Sequence, residues 1–280
     1  MFKVIKNSCF FAFALLLINV SQVQAMSNGE SQEHKLVNGF NFWSESNGKF
    51  NSEDFYSELY IAVLMDFTNG YKFIAGTKST LDYHDKGNTK LRFKHSYIRL
   101  ELAKKGIAKL GSWDYGVAYR YELPTTRGHQ QAGSLGYLQI RPQLSNSWGR
   151  FSLLLRNPFR FHLQRNGYQI FTEPGKPAQK GNNLFKYMLE FIPAYQISDN
   201  LVLEGYFSPA LNLKGADRGT TGVKWSGEYY HEVYLGYTIP SWGDLQLAIG
   251  YVGYTEFTSF KEIDPFNGTN EYFLRVTKSF

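Results

Sequence analysis

Residues 113–123 read WDYGVAYRYEL, and this stretch decides the fold. Trp113, Tyr115, Val117, Tyr119, Tyr121 and Leu123 share one face of an extended chain, and Asp114, Gly116, Ala118, Arg120 and Glu122 share the other. A period of two belongs to a β-strand, and a face this rich in Tyr and Trp is too apolar for water. The length matches the roughly 9–11 residues that a tilted strand needs to cross a bilayer.

The same pattern recurs on both sides. Phe151, Leu153, Leu155, Phe159, Phe161 and Leu163 oppose Ser152, Leu154, Arg156, Pro158, Arg160 and His162. Tyr229, Val233, Leu235, Tyr237 and Ile239 oppose Glu228, Tyr230, Glu232, Tyr234 and Gly236, and Leu245, Leu247, Ile249 and Tyr251 oppose Gln246, Ala248, Gly250 and Val252. About twelve such segments are legible. Tight turns, such as Asn69-Gly70, Ser145 to Gly149, Ser198 to Asn200 and Pro240 to Gly243, alternate with longer polar loops at 44–53, 84–89, 124–134, 164–183, 214–226 and 260–269. The connection 103–112 reads as longer than its class. Alternating short and long connections with an even strand number predict an all-β fold: a transmembrane antiparallel up-and-down β-barrel of about twelve strands. A soluble β-sandwich would alternate equally well, but the aromatics near strand ends fit membrane girdles. Tyr272, Leu274, Val276 and Phe280 lie on one face of the last segment and resemble the assembly signal that barrel-assembly machinery reads, with Lys278 as a departure.

Composition agrees. Of the 280 residues 17% are aromatic, and the mean hydropathy of -0.35 excludes a bundle of membrane helices, each of which needs about 20 apolar residues. The single Cys excludes a disulfide framework and a multi-cysteine zinc site, so no metal or cofactor is expected. Lys3 and Lys6 before the apolar run Phe10 to Val20, then Val23-Gln24-Ala25, read as a signal peptide over 1–25, leaving one barrel domain over 26–280. Loss of Lys3 and Lys6 with this leader takes the net charge from +6 to +4. In an exported barrel that charge fits an anionic lipopolysaccharide leaflet rather than nucleic acid. Arg92 and Lys94 are on the outward face at the outer end of their segment and are the expected lipopolysaccharide contacts.

Because bilayer-facing positions must be apolar, the polar alternate residues point into the lumen. Arg99, Arg120, Arg141, Arg156, Arg160 and His162 give a basic arc, and Glu190, Glu204, Glu228, Glu232 and Glu256 give an acidic one. Water fills the gap if the arcs stand apart, and Arg–Glu pairs plug it if they meet. A narrow water-filled pore for small hydrophilic solutes is the expectation, with inward Tyr97, Tyr206, Tyr230, Tyr234 and Tyr254 as stacking surfaces or as space-fillers. The leader, the strand number, the short chain and the arginine-lined wall, with Tyr115–Glu122 (YGVAYRYE), resemble the oligogalacturonate-specific (KdgM-type) porin family of monomeric outer-membrane channels. The resemblance implies a monomer in the bacterial outer membrane that takes up acidic oligosaccharides passively, with Arg120, Arg141, Arg156 and Arg160 as carboxylate ligands. The Glu-rich arc departs from that family's pattern.

An enzyme is the alternative. Twelve strands also suit an outer-membrane phospholipase, which needs a His and a Ser two residues apart on a lipid-facing strand with an Asn as third member. Tyr83-His-Asp-Lys-Gly-Asn88 comes nearest, but Lys86 stands where the Ser should be, and His84-Asp85 falls in a loop. No catalytic residue is therefore assigned. A third class is a surface receptor or structural barrel with a closed lumen, its 164–183 loop folded inward or outward.

Overall fold

The computed structural model describes residues 37–50, 55–67, 70–82, 92–125, 133–165, 182–215, 222–257 and 269–279, with backbone alone at 37–50, 55–56, 81–82, 92–96, 269–270 and 279. The leader, Phe280, His84-Asp85 and most of the 164–183 loop lie outside the described residues, as do the side chains of Arg92 and Lys94. Fourteen strand segments follow one another: β1 (Val37–Phe50), β2 (Phe55–Phe67), β3 (Tyr71–Asp82), β4 (Arg92–Leu110), β5 (Trp113–Pro124), β6 (Ser134–Trp148), β7 (Phe151–Arg156), β8 (Phe159–Gln164), β9 (Asn183–Met188), β10 (Glu190–Ser198), β11 (Leu201–Lys214), β12 (Lys224–Ile239), β13 (Leu245–Phe257) and β14 (Thr269–Ser279).

All pairings are antiparallel, and β14 returns to β1 with Trp43 opposite Ser279 and Phe50 opposite Tyr272, which closes the sheet and leaves no edge. The fourteen segments make twelve passes. Against β6, Gln143 faces Arg156 on β7 and Ile140 faces Phe159 on β8 with the same offset, so β7 and β8 are one strand interrupted at Asn157-Pro158. Across that gap Asn157 N–H still bonds the Pro142 carbonyl at 2.9 Å. β9 and β10 likewise hold one register on β11, interrupted at Leu189, whose N–H bonds the Pro209 carbonyl at 3.0 Å. Proline supplies no ladder donor, so Pro142, Pro158 and Pro209 thin the ladder here without shifting it.

The connection 103–112 differs from its expected form. β4 continues through it to Leu110, and the turn is Gly111-Ser112, with Gly111 at φ 65° where a side chain would be strained. A register shift between Lys104 and Ala108, a β-bulge, breaks the alternation and disguises strand as loop. Most of 44–53 is likewise strand, since β1 runs to Phe50 and leaves only 51–54 before β2, so the connections alternate short and long from β2 onward and not around the whole ring.

The two faces are inverted relative to a soluble protein. Ile249 is 62% exposed and Tyr119 52%, whereas their neighbours Ala248 and Ala118 are at 2% and 1%. Apolar side chains cover the outside, and charge and close packing lie inside. Near the short turns Trp113 meets Trp148 edge-on at 5.3 Å, Trp148 stacks on Phe151 at 5.9 Å, and Trp242 is exposed. Trp225 stands exposed near the opposite rim, so both interfaces carry amphipathic rings. Inside, Phe273 is fully buried against Tyr234, Ala248 and Val252. Its ring lies over Gly250, where an added Cβ would come within 2.4 Å of Phe273 and 2.6 Å of the Tyr234 Cβ. Gly250→Ala is therefore expected to destabilise the barrel by about 1–3 kcal/mol through overpacking. A lower guanidinium unfolding midpoint checks this, and an unchanged midpoint would show that Phe273 can swing clear.

Candidate functional site: the charged lumen

The inward side chains enclose a cavity of about 750 Å³. Antiparallel register explains its chemistry, because inward residues of neighbouring strands face one another in pairs. Arg99 on β4 is opposite Glu122 on β5, with its Nε donating to that carboxylate at 2.8 Å. Glu101 is opposite Arg120, which donates at 2.7 Å. Arg141 on β6 reaches the other oxygen of Glu101 at 2.5 Å, so one buried carboxylate holds two guanidinium groups. Arg156 meets Glu190 at the longer distance of 3.5 Å. Lys186 pairs with Glu228, which also accepts from Asn212 at 2.6 Å, and Arg275 pairs with Glu232 at 2.7 Å. Lys78 pairs with Glu58 at 2.5 Å.

Arg99, Arg120, Arg156 and Arg160 line the cavity, as do Glu190, Glu204, Glu228 and Glu232. Three other residues expected in the lining are not among those that bound this cavity. Arg141 is buried and donates to Glu101, His162 packs on the Tyr137 ring at 5.8 Å, and Glu256 sits at an exposed position accepting from Tyr254 at 2.9 Å. The arcs do not confront each other as bare walls, since most inward bases have a carboxylate on a nearby strand. Of the seven cavity-lining bases, six have one within 4 Å among the described residues, and Arg160 does not. The Arg160 guanidinium lies over the Tyr137 ring, 4.0 Å from its centroid, and Lys186 is its partner in register. Other rings hold cations too: Arg99 lies 5.1 and 5.2 Å from Tyr60 and Tyr97, and Arg275 lies 4.7 and 5.0 Å from Phe273 and Tyr234.

Alternation already turns Glu101 and Glu122 inward; what it does not give is that they fix two of the cavity's arginines. The sequence reading also passed over an apolar group in the lining, Leu154, Met188, Ile192 and Ala194. Their alternation was visible, but which inward residues become neighbours depends on register. On the outer face His231 lies between the rings of Tyr229 and Tyr251, at 5.4 and 5.5 Å. Tyr272 and Leu274 also point outward, on the strand that closes the barrel.

No family model matches the chain, and no curated protein matches it. Among solved structures it is similar to an outer membrane channel from Pseudomonas putida F1, at 9% identity over 90% of this chain and 100% of that one, with a TM-score of 0.61. It is also similar to the NanC porin, at 14% identity over 84% of this chain and 97% of that one, with a TM-score of 0.50. At such identities the likeness is one of fold and does not single out the oligogalacturonate-specific family. The fold is that of the outer-membrane β-barrels.

Proposed function

We propose that this protein is a channel of the bacterial outer membrane that passes small hydrophilic solutes by diffusion through its charged lumen, carboxylate-bearing solutes such as acidic oligosaccharides among them. The observation that carries the reading is the cavity of about 750 Å³ lined by ion pairs inside a closed barrel with an apolar exterior. Charges survive there only with water or a counter-charge, and cross-strand pairs with water between them give a polar path whose sites hold a solute weakly enough to release it. The likeness to a channel and a porin supports this reading. Residues 1–25 are proposed as the export leader, Tyr272, Leu274, Val276 and Phe280 as the assembly signal, and the working form as a monomer.

Purified protein added to a planar bilayer in potassium chloride should give discrete conductance steps. A barrel that migrates heat-modifiably on gels yet gives no steps would replace the channel with the closed-lumen receptor or structural barrel. The buried Phe273 cluster is what favours that second reading, because it fills part of the interior. A register shift against β3 between Lys78 and Ser79 overturns the outward placement of Arg92 and Lys94: it sets them opposite Asp82 and Thr80, on the parity of the cavity-lining Lys78, so no lipopolysaccharide contact is assigned to them.

A further inference from the structure

The wall formed by β7–β8 and β9–β10 carries a repeat of base and apolar surface. Starting from the loop side, Arg160 faces Lys186, and the next inward residue on the partner strand is Met188, whose N–H bonds the Pro158 carbonyl at 3.0 Å. Then Arg156 faces Glu190, and after it Leu154 faces Ile192. Met188, Leu154 and Ile192 all line the cavity. A base is thus followed, one rung nearer the short turns, by apolar surface, and this happens twice. One rung is two residues, about 6.6 Å, and the repeat is about 13 Å. The two bases are also the most available of the lining arginines. Arg160 has no carboxylate partner among the described residues, and the Arg156–Glu190 distance of 3.5 Å exceeds the 2.7–2.8 Å at Arg99, Arg120 and Arg275. A sugar acid, hydroxylated all round, would leave Met188 and the Leu154–Ile192 pair unused. An acid with an apolar body about one rung long would use both.

Resting on the channel reading, we infer that the preferred solutes are small amphipathic carboxylates, aromatic or short-chain aliphatic acids. The carboxylate sits first at Arg160 with its body on Met188, then at Arg156 with its body on Leu154 and Ile192. A few well-placed polar groups on an apolar lining is the usual composition of a small-molecule site, and two successive stations let the solute step rather than stick.

The test is block of single-channel potassium chloride current by benzoate, hexanoate and galacturonate. In the wild type, benzoate and hexanoate should block at lower concentration than galacturonate. Leu154→Ser with Ile192→Ser should raise the half-blocking benzoate concentration about tenfold and leave that of galacturonate unchanged. Met188→Gln, a single change of similar volume, should raise it in the same direction and serves if the double variant does not assemble. Arg160→Gln should weaken block by all three acids. Block by galacturonate at equal or lower concentration than benzoate, or equal shifts for both in the apolar variants, would overturn the inference while leaving the channel intact. Absence of any wild-type current would overturn the channel reading and this inference with it.

Discussion

Replacing Arg156 and Arg160 together with Ser is expected to turn the ion selectivity of the lumen toward cations. In a tenfold potassium chloride gradient the reversal potential should move by roughly 20 mV, against the about 59 mV of ideal selectivity for one charge. Both guanidinium groups line the cavity, and removing Arg156 also frees the Glu190 carboxylate that faces it. Among the described residues Arg160 has no carboxylate within 4 Å, so Arg160→Ser alone should give a larger shift than Arg120→Ser, in which Arg141 still offsets Glu101. The shift should shrink between 0.1 M and 1 M salt, where the screening length falls from about 10 Å to about 3 Å. Folding should change little, since lumen substitutions tune selectivity more than stability. Arg141→Ser is the control: it removes the same formal charge but from a side chain outside the cavity lining, so it should move the potential much less. Equal shifts from Arg141→Ser and Arg160→Ser would mean that net charge, not the lining, sets selectivity, and an unmoved potential in the double variant would take both arginines off the conducting path.

The fold was legible because lipid leaves few choices. A residue that points at acyl chains must be apolar, so each crossing strand writes its orientation into a period of two, as in Trp113 to Leu123. The pattern failed where the backbone left the ideal pleat. The bulge between Lys104 and Ala108 put Lys105, Gly106 and Ile107 in an order that reads as loop, although β4 runs on to Leu110. That error hid part of the site. Counting back from the turn without a bulge pairs Glu101 with Glu122. The bulge slides the register by two residues, which keeps every face and changes every partner, bringing Glu101 opposite Arg120 and Arg99 opposite Glu122. Which side chains look inward was therefore readable from alternation, but which of them neutralise each other was not. The apolar rungs were missed for a related reason. Leu154 and Ile192 are far apart in sequence, and only the pairing of β7 with β10 makes them one surface.

Glu101→Gln should destabilise the barrel more than any other lumen substitution considered. Glu101 is 4% exposed and is the ion-pair partner of Arg120 at 2.7 Å and of Arg141 at 2.5 Å. Neutralising it strands the buried Arg141 guanidinium and leaves Arg120 only Glu122, at 3.8 Å, and breaking a buried pair by removing one partner costs about 3–5 kcal/mol. An amide can still accept one hydrogen bond, so the loss is one of charge rather than shape, and Glu101→Ala should be no milder. The measurement is guanidinium unfolding in detergent, followed by the fluorescence of Trp113 and Trp148, with a clear fall in midpoint as the expected result. Adding Arg141→Gln to Glu101→Gln should recover part of the loss, because one stranded cation is gone. The two single changes should then sum to more than the double, a coupling of the kind that residues sharing one network show. A loss below about 1 kcal/mol with no coupling would mean that lumen water reaches both guanidinium groups and screens them as it does at a surface. The wall of β4, β5 and β6 would then be a wet, adjustable part of the channel, and not the rigid side against which the weakly paired Arg156 and Arg160 act.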